Sequence, residues 1–254
     1  MLHSPLDRGG WIMKIWSFDF AGRLILMLVF AFFVLNGVGR LVALFGDAQM
    51  SPDDFMLQFV SRASSLVFST LLVTFTIIRL PPRDISLGWG PRIAAVCGTF
   101  MLATIAIMVR PTPTEGMQTV AALLVFAGMT GSAYCLLWLG RSFSIDAQAR
   151  RLVTRGPYAV VRHPLYLAES LFMLGAVAAN PSPVVITSVV VNFGIQYWRI
   201  LNEERVLSLS FPEYDSYSRK VPMLIPFSRR LTLAARIERQ QSETVPGRAP
   251  HIHR

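Results

Sequence analysis

Residues 164–201 read PLYLAESLFMLGAVAANPSPVVITSVVVNFGIQYWRIL. Two apolar runs, Pro164–Ala179 and Val184–Leu201, are split by Asn180-Pro-Ser-Pro183, which leaves room for little beyond a turn. Each run is close to the ~20 residues a helix needs to cross a bilayer. The stretch therefore reads as a membrane-spanning helical hairpin. At about 1.5 Å per residue the chain leaves one face at Pro164, crosses, turns and returns at Leu201, so residues 162–166 and 203–204 end up close although ~38 positions separate them.

Working outward, four more runs are apolar enough to span: roughly Leu24–Phe45, Ala63–Leu80, Ile93–Val109 and Val120–Leu139. Hydrophobic residues make up 53% of the chain, charged residues 15%, and mean hydropathy is +0.48, values that argue against water as the solvent. The expected fold class is all-α, a polytopic transmembrane bundle of about six spans whose C-terminal hairpin carries the site. A net charge of +9 would suggest nucleic acid in a soluble chain. Its distribution decides otherwise. With the N-terminus in the cytoplasm, fifteen basic residues up to Lys220 fall inside and only Arg40, Arg62 and Arg110 outside, the asymmetry of the positive-inside rule. The basic excess then faces anionic headgroups of the bilayer, and no nucleic-acid partner is expected.

Residues 1–23 carry Trp11, Trp16 and Phe18 beside Lys14 and Arg23, a mixture suited to an interfacial lead-in. A signal peptide is a poor reading, because the run from Leu24 is too long for an h-region and lacks a convincing cleavage site. Residues 24–139 form a four-helix region, in which Ser51-Pro52-Asp53-Asp54 is an N-cap, a first-position proline and two first-turn acids. Pro81-Pro82 ends the second span, and the turn-forming residues 110–116 make a tight hairpin of the third and fourth. Residues 140–227 combine a long polar, basic loop, the hairpin and a C-terminal motif. Residues 228–254 form a basic tail expected to be disordered. Cys97 and Cys135 fall inside expected spans and read as small apolar packing groups, with no disulfide or metal framework implied.

Glu169 lies five residues into the fifth span, where an ionisable group costs roughly 2.5 kcal/mol or more unless it is paired or faces a cavity. It reads either as a pocket carboxylate or as one paired with Arg162 near the interface. Asn192 and Gln196, one turn apart, read as interhelical glue or as the start of a polar stripe through Arg199, Glu203 and Glu204. Pro164 suits the first helical position, so that helix opens with free N–H groups beside Arg162 and His163, a place for a carboxylate. The other helix end offers acids. A ligand with a carboxylate at one point and a positive charge at another fits both, and S-adenosylmethionine is such a ligand. Tyr158, Tyr166 and Tyr197 are placed to contact its sulfonium or adenine.

Taken together, residues 139–144 (LGRSFS), 152–158 (LVTRGPY), 161–166 (VRHPLY), 202–205 (NEER) and 211–217 (FPEYDSY), followed by Val221-Pro and Ile225-Pro, resemble the isoprenylcysteine carboxyl methyltransferase and phospholipid methyltransferase superfamily of integral-membrane methyltransferases. The resemblance covers residues 136–227. It implies an S-adenosylmethionine cofactor and a lipophilic or small-molecule acceptor: a carboxylate, thiol or amine. Carried over by position, Gly156, Pro157, Tyr158, His163, Pro164, Tyr166, Glu203 and Glu204 would bind cofactor, and Arg162 and Glu169 would lie near the transferred methyl as catalytic residues. Ala168 and Pro212 stand where glycine is frequent, which bears on fine substrate geometry. A sterol-type reductase using a nicotinamide cofactor is the rival enzyme, but two adjacent carboxylates oppose a phosphate-rich dinucleotide and no Gly-x-Gly-x-x-Gly is present. A non-catalytic membrane component would show a broken motif, and none is broken.

Overall fold

The computed structural model of the chain describes residues 6–46, 50–80, 84–85, 97–98, 101, 115–143 and 148–226. Helix α1 runs Leu6–Leu44 and α2 runs Pro52–Ile78. Helix α3 covers Glu115–Leu139, α4 Pro164–Ala179, α5 Pro183–Ser210 and the short α6 Tyr214–Lys220. Apart from a two-residue antiparallel bridge, Asp84–Ile85 (β1) against Gln148–Ala149 (β2), the described secondary structure is helical.

The helix starts follow local chemistry. Ser51 is extended and its hydroxyl accepts from the Asp54 amide at 3.2 Å, with Pro52 next and Asp53 and Asp54 against the dipole. Ser182 and Pro183 repeat the device at α5. The end of α2 is tied to the end of α3, where the Leu80 amide donates to the Arg141 carbonyl (2.8 Å) and Arg141 Nε to the Ile78 carbonyl (3.0 Å).

Four helical segments are long and apolar enough to cross a membrane: Leu26–Leu44, Pro52–Ile78, Gly116–Ser142 and Pro183–Ser210, with α4 a shorter apolar helix. This is a helical membrane bundle. The expected third span, Ile93–Val109, lies outside the described residues except for Cys97, Gly98 and Met101, as does the tail from residue 228. Helix α1 passes without a break through the expected boundary at residue 24, and α5 continues well past Leu201, so the twin acids sit inside that helix rather than after it. Cys135 is buried as expected, whereas Cys97 is exposed.

Helix α3 packs along α4 by bringing backbones together. A Cβ on Gly128 would lie 2.5 Å from the Phe172 nitrogen, and one on Gly175 would lie 3.0 Å from the Ala121 carbonyl oxygen. Small residues at such a crossing let van der Waals contact replace the hydrophobic drive that lipid does not supply. Gly131 opposite Ala168 leaves space for the alanine methyl. Helix α1 packs on α2 and α2 on α3, with Phe30, Leu136 and Phe143 at the centre of the cluster. Leu28, Leu35 and Val67 face outward, as lipid-facing side chains do. At sixteen residues α4 is about 24 Å long, short of a ~30 Å hydrocarbon core.

Candidate active site

The site forms where α4 begins and α5 nears its end. Gly156 turns the preceding loop with φ +62°, and a Cβ there would lie 2.4 Å from the Trp138 ring, so both conformation and space require glycine. Tyr158 follows on a short turn of helix, and Pro164 occupies the first helical position of α4.

Two hydrogen-bonded rails hold residues 162–163 against the segment after α6: the Arg162 amide donates to the Pro222 carbonyl (2.9 Å) and the His163 amide to that of Met223 (3.1 Å). The Arg162 side chain forks onto Glu204, Nε to Oε1 at 2.8 Å and Nη2 to Oε2 at 2.9 Å. Its Nη1 donates to the Ser218 and Val221 carbonyls at 2.7 and 2.8 Å. Glu204 also meets His163 Nε2 at 2.7 Å and accepts from the Tyr214 hydroxyl at 2.6 Å. Glu203 accepts from Tyr166 at 2.5 Å and lies 3.8 Å from His163 Nδ1.

The proximity expected from hairpin geometry is therefore present, and the two acids have different surroundings. Glu203 lines a cavity of about 680 Å³; Glu204 lies outside its lining, held by arginine, imidazole and phenol. Tyr158, Arg162, His163, Tyr166 and Glu169 line the same cavity. Gly156, Pro157 and Pro164 do not line it and instead shape the walls. Glu169 accepts from Gln196 Nε2 at 2.9 Å, so its protein partner is the glutamine of α5 rather than Arg162. Asn192 donates to the Gly98 carbonyl at 3.2 Å. Tyr197 is half exposed and away from the cavity, which corrects its expected place at the ligand: one residue past Gln196 on a helix points about 100° away.

Three side chains carry no site role in the sequence reading, and a fourth, Arg199, enters it only as part of the polar stripe on α5. Tyr214 and Tyr217, spaced i, i+3 on α6, cap the site, and the Tyr217 hydroxyl donates to the Tyr158 carbonyl at 2.6 Å. Arg199 stacks over the Tyr166 ring, 5.3 Å from its centroid. Arg150 is buried and lines the cavity. Of these, the tyrosine spacing was the readable signal.

Burial pushes the Tyr158 phenol well above its ordinary range. Burial, then the bond to Glu204, does the same for Tyr214. Burial carries Tyr217 up to about 12, against the pull of Arg162. These phenols stay protonated and act as donors. The Tyr158 hydroxyl is buried in the cavity wall with no protein partner, and such an atom needs an acceptor from whatever fills the space.

The comparisons with known proteins bear on this same region. Residues 116–213 match the family described as phospholipid methyltransferase. The matched segment runs from the first turn of α3 to the residue before α6 and contains the Arg162–Tyr166 and Glu203–Glu204 motifs. Two relatives are similar over part of their length. The nickel-cobalt-cadmium resistance protein NccN of Alcaligenes xylosoxydans xylosoxydans is 32% identical over 111 residues, 43% of this chain and 50% of the relative. The cobalt-zinc-cadmium resistance protein CzcN of Cupriavidus metallidurans is 34% identical over 111 residues, 43% of this chain and 49% of the relative. The match thus spans about half the length of either relative.

Proposed function

We propose that this integral-membrane chain is an S-adenosylmethionine-dependent methyltransferase, with its cofactor at the Tyr158–His163–Tyr166–Glu203 end of the cavity. The observation that carries the reading is the pairing of His163 and Tyr166, at the start of α4, with Glu204 and Glu203 on α5, around a cavity of about 680 Å³. That volume falls in the usual range for small-molecule sites. The residues fit the group. Glu203 and the Tyr166 ring suit a sulfonium, the uncapped start of α4 suits a carboxylate, and the Tyr158 hydroxyl supplies an unpartnered donor.

When bound, S-adenosylmethionine would supply an electrophilic methyl group. The chain's own part is alignment and exclusion of water. Arg162, with four N–H donors committed to Glu204 and two carbonyls, orients the acid pair and the cap. Glu169, held by Gln196 on the cavity wall, is the group placed to take a proton from an amine or thiol acceptor. The acceptor is lipophilic or small and enters along the cavity. The site faces the cytoplasm, in keeping with the one-sided distribution of basic residues.

The test is to incubate the purified chain in lipid with methyl-labelled S-adenosylmethionine and a host lipid and small-molecule extract, then identify what acquires label. Label in one product class, lost in Glu169→Gln, supports the reading. No labelled product from any extract counts against it.

A further inference from the structure

The cavity does not stop at the acids. It continues along α4 to Ala179 and along α2 back to Gln58, where Arg40, Arg62 and Gln118 also line it. Gln58 and Leu72, both in its wall, stand about 21 Å apart along one helix. By chain order this far end lies on the opposite face from the acids: α1 ends there, α2 and α3 begin there, and α4 ends there.

That face is the one poor in basic residues, with Arg40, Arg62 and Arg110 as its whole complement in the expected topology. Two of those three converge on the cavity, and Arg62 Nη1 donates to the Arg40 carbonyl at 2.6 Å. Asp53 and Asp54, in the first turn of α2, do not line it. Between the two ends much of the wall is apolar. Phe33, Phe68 and Met129 contribute carbon surface, and the Ser65 and Ser69 hydroxyls return to the carbonyls of Ser61 and Ser65 at 3.0 and 2.9 Å. Cations at one end and a chain-shaped, undemanding wall beyond them match an anionic amphiphile.

We propose that the far half of the cavity holds an acyl chain of an anionic phospholipid from the leaflet opposite the acids, its phosphate against Arg40 and Arg62. One leaflet contributes about 15 Å of hydrocarbon, half of a ~30 Å core, so a chain starting level with Gln58 ends near Phe68 and Ser69. It stops short of Tyr166 and Glu203. The lipid and an occupant of the acid end are compatible, and the lipid closes the bundle to water from the far face. This inference does not depend on methyl transfer.

The experiment uses the full chain in nanodiscs of phosphatidylcholine with or without phosphatidylglycerol, with retained lipid read by native mass spectrometry and unfolding followed by heating. Retention of phosphatidylglycerol over phosphatidylcholine, falling about fivefold for each of Arg40→Gln and Arg62→Gln, is expected. Arg205→Gln, an exposed change on α5 near the other face, should leave the preference intact. Ser65→Phe fills the chain's path while keeping both arginines and should lower the preference at least as far, which covers the case of an arginine variant that fails to fold. Equal retention of the two lipids by the unmodified chain, or a preference that survives both Arg62→Gln and Ser65→Phe, overturns the proposal. Methyl-transfer activity enters neither readout.

Discussion

Glu203 and Glu204 are neighbours in the chain with opposite assignments: Glu203 lines the cavity and accepts from Tyr166, while Glu204 lies outside the cavity lining and is held by Arg162, His163 and Tyr214. Consecutive helical residues are rotated about 100° apart, which is enough to give one acid to a ligand and the other to the scaffold.

The two acids should therefore fail differently. Glu204→Gln leaves the Arg162 guanidinium, whose side chain is 10% exposed, without its counter-charge. A loss of about 3 kcal/mol is expected, the lower end for breaking a buried pair, read as a fall in unfolding temperature. Glu203→Gln should change stability by less than about 1 kcal/mol and weaken cofactor binding instead. Equal stability losses in the two variants would remove the division of roles.

The fork of Arg162 makes a second prediction. Lysine keeps the charge but offers no planar pair of donors to a carboxylate and cannot reach two carbonyls at once. Arg162→Lys should loosen the segment after α6, raising amide exchange at His163, whose N–H is bonded to Met223, with a loss of about 2 kcal/mol. Unchanged exchange there would show that the clamp is dispensable.

Tyr158→Phe removes a buried hydroxyl that has no protein partner, so stability should hold or rise slightly. Cofactor affinity should fall by about tenfold, the worth of roughly one hydrogen bond. Calorimetry and a melting curve on the same sample separate the two effects; a clear loss of stability would mean that the hydroxyl is satisfied within the protein.

Much of this arrangement is legible in the amino-acid sequence. The Ser51–Asp54 helix start depends on four consecutive residues, and the meeting of residues 162–166 with Glu203 and Glu204 follows from two spans and a short turn. What escaped the sequence depends on rotation and on tertiary return. The different facings of Glu203 and Glu204, and the outward Tyr197, are set by angle around α5, while the fork of Arg162 needs α6 to fold back over the site. The continuation of α1 back to Leu6 was hidden because its aromatic and cationic residues also suit an interface.

Packing of α3 on α4 gives a further test. Gly128→Ala places a methyl 2.5 Å from a backbone nitrogen of Phe172, which cannot yield as a side-chain end would. A cost of about 1–3 kcal/mol and reduced yield of folded protein are expected. Gly116→Ala, with open space around it, should be silent.

Alkaline pH acts on the cap. Tyr217 has its folded pKa raised to about 12 from an ordinary 10.0, so the neutral phenol contributes stability that is fully present below pH 10 and is lost as pH rises toward 12. Tyr217→Phe should remove that part of the alkaline destabilisation, measured as the change in unfolding temperature between pH 9 and pH 11. A pH dependence identical to that of the unmodified chain would place the phenol's titration elsewhere.

The central claim is that S-adenosylmethionine sits beside Glu203 and Tyr158, and equilibrium binding of the labelled compound to the purified chain in nanodiscs tests it most directly. Saturable binding of one molecule per chain is expected, weakened in Glu203→Gln and in Tyr158→Phe, both of which should still fold. Absence of saturable binding by the folded chain, or affinity unchanged in both variants, would contradict the account.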